Sequence, residues 1–192
     1  MRENSESART WFVTLTLNPQ AHSRMANQAR LRLARNAVDF DALPETDQFK
    51  ERHRECSAEL TLWLKRLRKS ASIDHRQSSR KGDGCEATKG QRCICHPLNL
   101  FTIPLRYVLV AEAHKTGLPH YHLLIHEVLH SRPVRARHIQ LNWRHGFSQC
   151  KLVAQDDENR TAAYVAKYLS KSALARVRAS VGYGHVPDRN AP

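Results

Sequence analysis

The stretch PHYHLLIH, Pro119 to His126, sets three imidazoles at alternating positions of an otherwise apolar run. Tyr, Leu and Ile in that pattern make a β-strand, where residues two apart share a face, so His120 and His122 stand side by side. A second stretch, YVAKYLSK, places Tyr164 and Tyr168 four residues apart, and Lys167 and Lys171 likewise. On a helix that spacing puts each pair on one face, a turn apart. Neighbouring imidazoles are metal ligands. A tyrosine hydroxyl, with a pKa of about 10, is a poor nucleophile near neutral pH. It attacks phosphorus when a cation polarises the phosphate or an ammonium group steadies the phenolate or the leaving oxygen.

The histidines need a third ligand, and the preceding strand offers one. LRYVLVAEAH reads as a strand, KTGLP as a turn and HYHLLIHEVL as the returning strand. Placing Ala111 across from Tyr121 matches Leu109 with Leu123. That register sets Glu112 opposite His120 and Val110 opposite His122. Opposed residues of an antiparallel pair point to the same face, so two imidazoles and one carboxylate converge. His126 shares the face but lies four residues further on, at about 3.4 Å each, too far to join them. Two histidines and a carboxylate suit Mg²⁺, Mn²⁺ or Zn²⁺, with positions left for phosphate oxygens. Each motif taken singly also fits a plainer role: polar residues on a solvated strand, or tyrosines in the core face of a helix.

Other elements must carry these groups. Trp11 to Leu17, WFVTLTL, reads as a strand with Thr14 and Thr16 opposite Val13 and Leu15, ended by Asn-Pro. An arginine-rich helix is expected from His22 to about Val38. A second runs from about Thr46 to Lys69, capped by Thr46 or Asp47, with Phe49, Cys56, Leu60, Trp63, Leu64 and Leu67 on one stripe. RPVRARHIQLNW reads as a helix with Pro133 in its first turn, and RHGFSQCKLV as a strand after a turn at Gly146. DDENRTAAYVAKYLSKSALAR reads as a helix, acidic at its start and basic at its end as the helix dipole prefers. The tail is turn-rich. The sum is an α+β chain, one domain over residues 1–192, with an irregular insertion at about 70–104.

The chain has 192 residues with 41% hydrophobic content, enough for a real core. Its 31 Lys and Arg against 18 Asp and Glu give a net charge of +13, which favours a polyanionic partner, nucleic acid first among them. No apolar run approaches the ~18 residues that cross a bilayer, and the polar N-terminus lacks a signal-peptide core, so no membrane role and a cytoplasmic location are expected. Five cysteines, an odd number, argue against a disulfide framework. No GxxxxGK[ST] is present, which argues against an attached P-loop helicase.

FVTLTLNP, PHYHLLIH and YVAKYLSK, in that order, resemble the HUH endonucleases, and within them the two-tyrosine rolling-circle replication initiators of microviruses and related prophages and plasmids. WRHGFSQCKLV is similar to a strand segment those proteins carry between the two motifs. The likeness covers about Trp11 to Lys171, apart from the insertion. It implies an RRM-like HUH nuclease fold, a central antiparallel sheet with packed helices. It implies further that His120, His122 and Glu112 bind Mg²⁺ or Mn²⁺, that Tyr164 and Tyr168 are paired nucleophiles, and that Lys167 and Lys171 assist them. Thr14 to Thr16 would be a structural motif beside the site, and Tyr121 would point into the core.

Two features depart from that likeness. The chain ends soon after the tyrosine stretch, so no further C-terminal domain is expected. The insertion carries Cys85, Cys93, Cys95 and His96, whose composition suits zinc but whose spacing is not the usual C-x₂-C. A structural Zn²⁺ stands there against separate reduced cysteines, the default. The activity implied is nicking and rejoining of single-stranded origin DNA through a 5′-phosphotyrosine, with a host polymerase and helicase as partners. Its rivals are an HUH transposase or relaxase and, from another class, a non-catalytic nucleic-acid-binding regulator.

Overall fold

Asn18-Pro19 ends one element and starts the next. Strand β1 (Arg9–Thr16) buries Trp11, Val13 and Leu15 on one face and turns Thr14 and Thr16 to the other. Asn18 then caps helix α1 (Pro19–Ala34), its side chain accepting from the Ala21 amide at 2.8 Å, with Pro19 in the first turn, where a missing N–H costs nothing. The computed structural model describes residues 9–79, 105–113, 118–127, 134–154, 163, 167, 175–181 and 183. It continues with α2 (Glu45–Ser79), β2 (Leu105–Ala113), β3 (Pro119–Glu127), α3 (Ala136–Asn142), β4 (Ser148–Leu152) and β5 (Arg176–Ala179). The five strands form one antiparallel sheet in the order β4-β1-β3-β2-β5, so the architecture is α+β as expected.

The core lies between one sheet face and the helices. Val13, Leu15, Leu109, Ala111, Tyr121, Leu123 and Ile125 meet the α2 stripe of Phe49, Cys56, Leu60, Trp63, Leu64 and Leu67, all essentially fully buried. Side chains of that size contribute roughly 2 kcal/mol each on burial. Trp63 sets α3 in place, its indole donating to the Ile139 carbonyl at 3.1 Å and its ring edge-on to Trp143. Because strand residues alternate, burying these odd-numbered positions leaves the even-numbered ones of β1 and β3 on the opposite face. That face carries His120 and His122.

Several boundaries differ from the sequence reading. Helix α2 does not stop at Lys69 but runs to Ser79, taking the first ten positions assigned to the insertion; its helix-forming residues continue past the end of the apolar stripe. Neither Thr46 nor Asp47 caps it. Both lie inside the first turn, where the Pro44 carbonyl accepts from the Asp47 and Gln48 amides and Glu45 and Asp47 offset the dipole. Helix α1 starts three residues before His22 and ends before Val38. Helix α3 begins at Ala136, so Pro133, itself outside the described residues, is not in its first turn. The helix carried through to Arg176 is also corrected: Arg176 opens β5, which satisfies the otherwise bare edge of β2. Cys85, Cys93, Cys95 and His96 lie outside the described residues; Cys56 and Cys150 are free thiols.

Candidate metal centre

The β2–β3 pairing has the register expected from the apolar matches: Leu109 opposite Leu123, Val110 opposite His122, Ala111 opposite Tyr121 and Glu112 opposite His120. Tyr121 is fully buried beneath the pair. Its hydroxyl lies 3.4 Å from His53 Nδ1 on α2, which fixes from below which side of β3 faces the histidines outward.

On the outer face His122 is held from three sides. Thr14, directly opposite on β1, places its hydroxyl 3.2 Å from His122 Nδ1. Phe12 stacks on the ring with centroids 5.9 Å apart, and the His120 ring stands edge-on at 4.7 Å. A hydroxyl accepting from Nδ1–H leaves the Nε2 lone pair pointing away, the tautomer a metal requires. His122 Nε2 points at Glu112 Oε2, 3.5 Å away. Two ligands at about 2.1 Å from one ion stand about 3.0–3.4 Å apart for right-angled to tetrahedral geometry. The Glu112–His122 separation is therefore that of two ligands across a cation, a little relaxed. His122 is 6% exposed, while Glu112 keeps more access to solvent at 17% of its side chain, so the pair opens outward.

Among the described residues no three His, Cys, Asp or Glu side chains already enclose an ion position. Glu112 and His122 are brought together; His120 adjoins them across one residue spacing of the strand and closes the set by turning its ring. The donor set, two neutral imidazoles and a carboxylate with a hydroxyl behind one ring, fits a divalent cation. Of the tyrosine stretch, Lys167 is helical and exposed. Tyr164, Tyr168 and Lys171 lie outside the described residues.

His126 falls at the far end of the same face, in a cluster of its own. Its Nδ1 is 3.0 Å from the Thr10 hydroxyl and its Nε2 is 2.9 Å from the Tyr183 hydroxyl. Burial, with Arg106 nearby, pulls its pKa down to about 4, so it is neutral near pH 7. The sequence reading excluded it from the metal site by distance, and the structure gives it other partners. Two contributions escaped that reading. Phe12 as a ring support and Thr14 as a hydroxyl on Nδ1 follow only from the β1–β3 register, which joins segments over a hundred residues apart.

Among known families, the model described as Replication-associated protein, of the ORF2 type, matches residues 10–173. No curated protein and no solved structure gives a match. Among the described residues no helix is long and apolar enough to cross a membrane.

Proposed function

We propose that this chain, which belongs to the ORF2-type replication-associated protein family, nicks single-stranded origin DNA through a tyrosine and later rejoins it, as a two-tyrosine HUH initiator of rolling-circle replication. The observation that carries the reading is the placement of Glu112, His120 and His122 on one sheet face, with Thr14 behind His122. Glu112, His120 and His122 would hold Mg²⁺ or Mn²⁺, which when bound draws charge from a phosphate oxygen. The hydroxyl oxygen of Tyr164 or Tyr168 bonds to phosphorus while the bond from phosphorus to the 3′ oxygen breaks. The phenol proton is balanced by the proton gained at that 3′ oxygen, leaving a 5′-phosphotyrosine and a free 3′-OH. Lys167 and Lys171 would supply the ammonium charge that steadies phenolate and leaving oxygen. Phosphotyrosine keeps the energy of the broken bond, so resealing needs no ATP. A host polymerase would extend the 3′-OH behind a host helicase, and the second tyrosine would cut the regenerated junction. The net charge of +13 supports DNA as the partner, with affinity falling linearly in log salt.

The test is covalent capture. Incubated with Mn²⁺ and end-labelled single-stranded origin DNA, the protein should yield an adduct that survives denaturation. Tyr164→Phe and Tyr168→Phe should each retain some adduct and the double variant none. His120→Ala with His122→Ala should abolish nicking yet leave salt-sensitive DNA binding. Filter binding without any adduct in the parent would instead favour a non-catalytic regulator.

A further inference from the structure

The row of residues level with His120 runs beyond the metal ligands. Glu112 on β2 pairs with His120 on β3, and His120 with Thr16 on β1. Thr16 in turn faces Phe147, whose carbonyl accepts from the Thr16 amide at 2.9 Å and from its hydroxyl at 3.2 Å. Opposed residues share a face, so Phe147 stands on the histidine face two strands from His120, about 10 Å at about 4.8 Å per strand.

Phe147 is 65% exposed. A phenyl ring left in water at a sheet edge is costly unless something covers it, and this one is held firmly in place. Gly146, at φ +151°, packs so tightly on β1 that a Cβ there would come within 2.3 Å of the Thr16 carbonyl. The Trp143 indole donates to that carbonyl at 2.9 Å, and the Asn18 amide donates to the His145 carbonyl at 2.7 Å. Along the edge strand the same face continues with Gln149 and Lys151, both exposed. An aromatic ring, an amide and an ammonium group in line suit a strand that offers bases and phosphates in alternation.

We propose that Phe147 is a base-stacking residue: an unpaired base of single-stranded DNA lies on its ring, and Lys151 takes a phosphate of the same strand, seating the DNA across β4 and β1 toward His120. The proposal rests on the reading of the chain as a DNA-nicking initiator, but its test does not use cleavage. In EDTA, fluorescence anisotropy would follow the full chain binding a labelled oligothymidylate of about 12 nucleotides and an abasic strand of equal length. Phe147→Ala should weaken oligothymidylate binding roughly 5- to 150-fold, the range for one lost stack, and leave the abasic strand unaffected. Phe147→Trp should restore the affinity, which shows that the fold tolerates changes there. Lys151→Ala should weaken both probes and lower the salt slope by about 0.7, the value for one phosphate on a single strand. Equal affinity of Phe147→Ala and parent for oligothymidylate overturns the proposal. So does an equal loss on both probes, or a loss of self-association with DNA binding intact, which would make Phe147 a contact between copies. If the base-selective loss appears but no covalent adduct ever forms, the nicking reading fails and the stacking assignment stands.

Discussion

Removing the Glu127 carboxylate should loosen the β1–β3 seam at the end opposite the histidines. Glu127 is 1% exposed and accepts from Arg9 Nε at 3.1 Å, Arg9 Nη2 at 2.9 Å, Trp11 Nε1 at 2.8 Å and the Val134 amide at 3.0 Å. Glu127→Ala leaves the Trp11 and Val134 donors buried without that acceptor, at about 1–3 kcal/mol each. Arg9 is 36% exposed, so water takes over most of its loss and the ion pair itself adds little. The expected destabilisation is about 4 kcal/mol. At about 2–4 °C per kcal/mol for a chain of this size, melting falls by about 8–16 °C. Glu127→Gln keeps one carbonyl oxygen for the indole and should cost about 1–2 kcal/mol. Urea unfolding followed by tryptophan fluorescence measures both. The seam matters for function because a one-residue slip of β3 would turn His120 and His122 into the core. A Glu127→Ala midpoint within about 1 kcal/mol of the parent would refute the reasoning, since buried donors cannot be abandoned so cheaply.

Gly146→Ala should destabilise by about 2 kcal/mol or more, because φ +151° and the 2.3 Å approach to the Thr16 carbonyl both exclude a Cβ; unchanged thermal melting would contradict this. Thr14→Val removes the hydroxyl on His122 Nδ1 at little cost in shape, and Mn²⁺ affinity read by paramagnetic titration should drop roughly 10- to 100-fold. Equal Mn²⁺ affinity in parent and variant would mean that the hydroxyl does not orient a ligand. Burial holds His126 and His53 at about 4, below the unfolded value of about 6.5. The unfolded chain therefore takes up protons first as pH falls, and stability present above about pH 6.5 is lost on the way down to about pH 4. At pH 5 the loss is roughly 2 kcal/mol per histidine. His126→Gln should lose correspondingly less between pH 7 and pH 5; a difference identical to the parent's would assign the acid sensitivity elsewhere.

What local pattern can carry was legible in the residues themselves. Alternation in WFVTLTL, LRYVLVAEAH and PHYHLLIH marks three strands, and the leucine matches across one short turn set the register that brings Glu112 to His120. The α2 stripe was equally plain, since 3.6-residue periodicity survives without knowledge of its partner. Where a stripe ends and helix-forming residues continue, the boundary blurs, and α2 ran ten positions past Lys69. Arg176–Ala179 escaped because four residues carry too little pattern to declare themselves; they are a strand only because β2 presents an edge to be paired. Contacts that join distant segments depend on the sheet order, which no single segment encodes. Thr14 behind His122, Phe12 on its ring and Phe147 in line with His120 all follow from β1 lying between β3 and β4. The chemistry was written in residue types and short spacings, whereas its support arises from backbone hydrogen bonds between strands far apart in the chain.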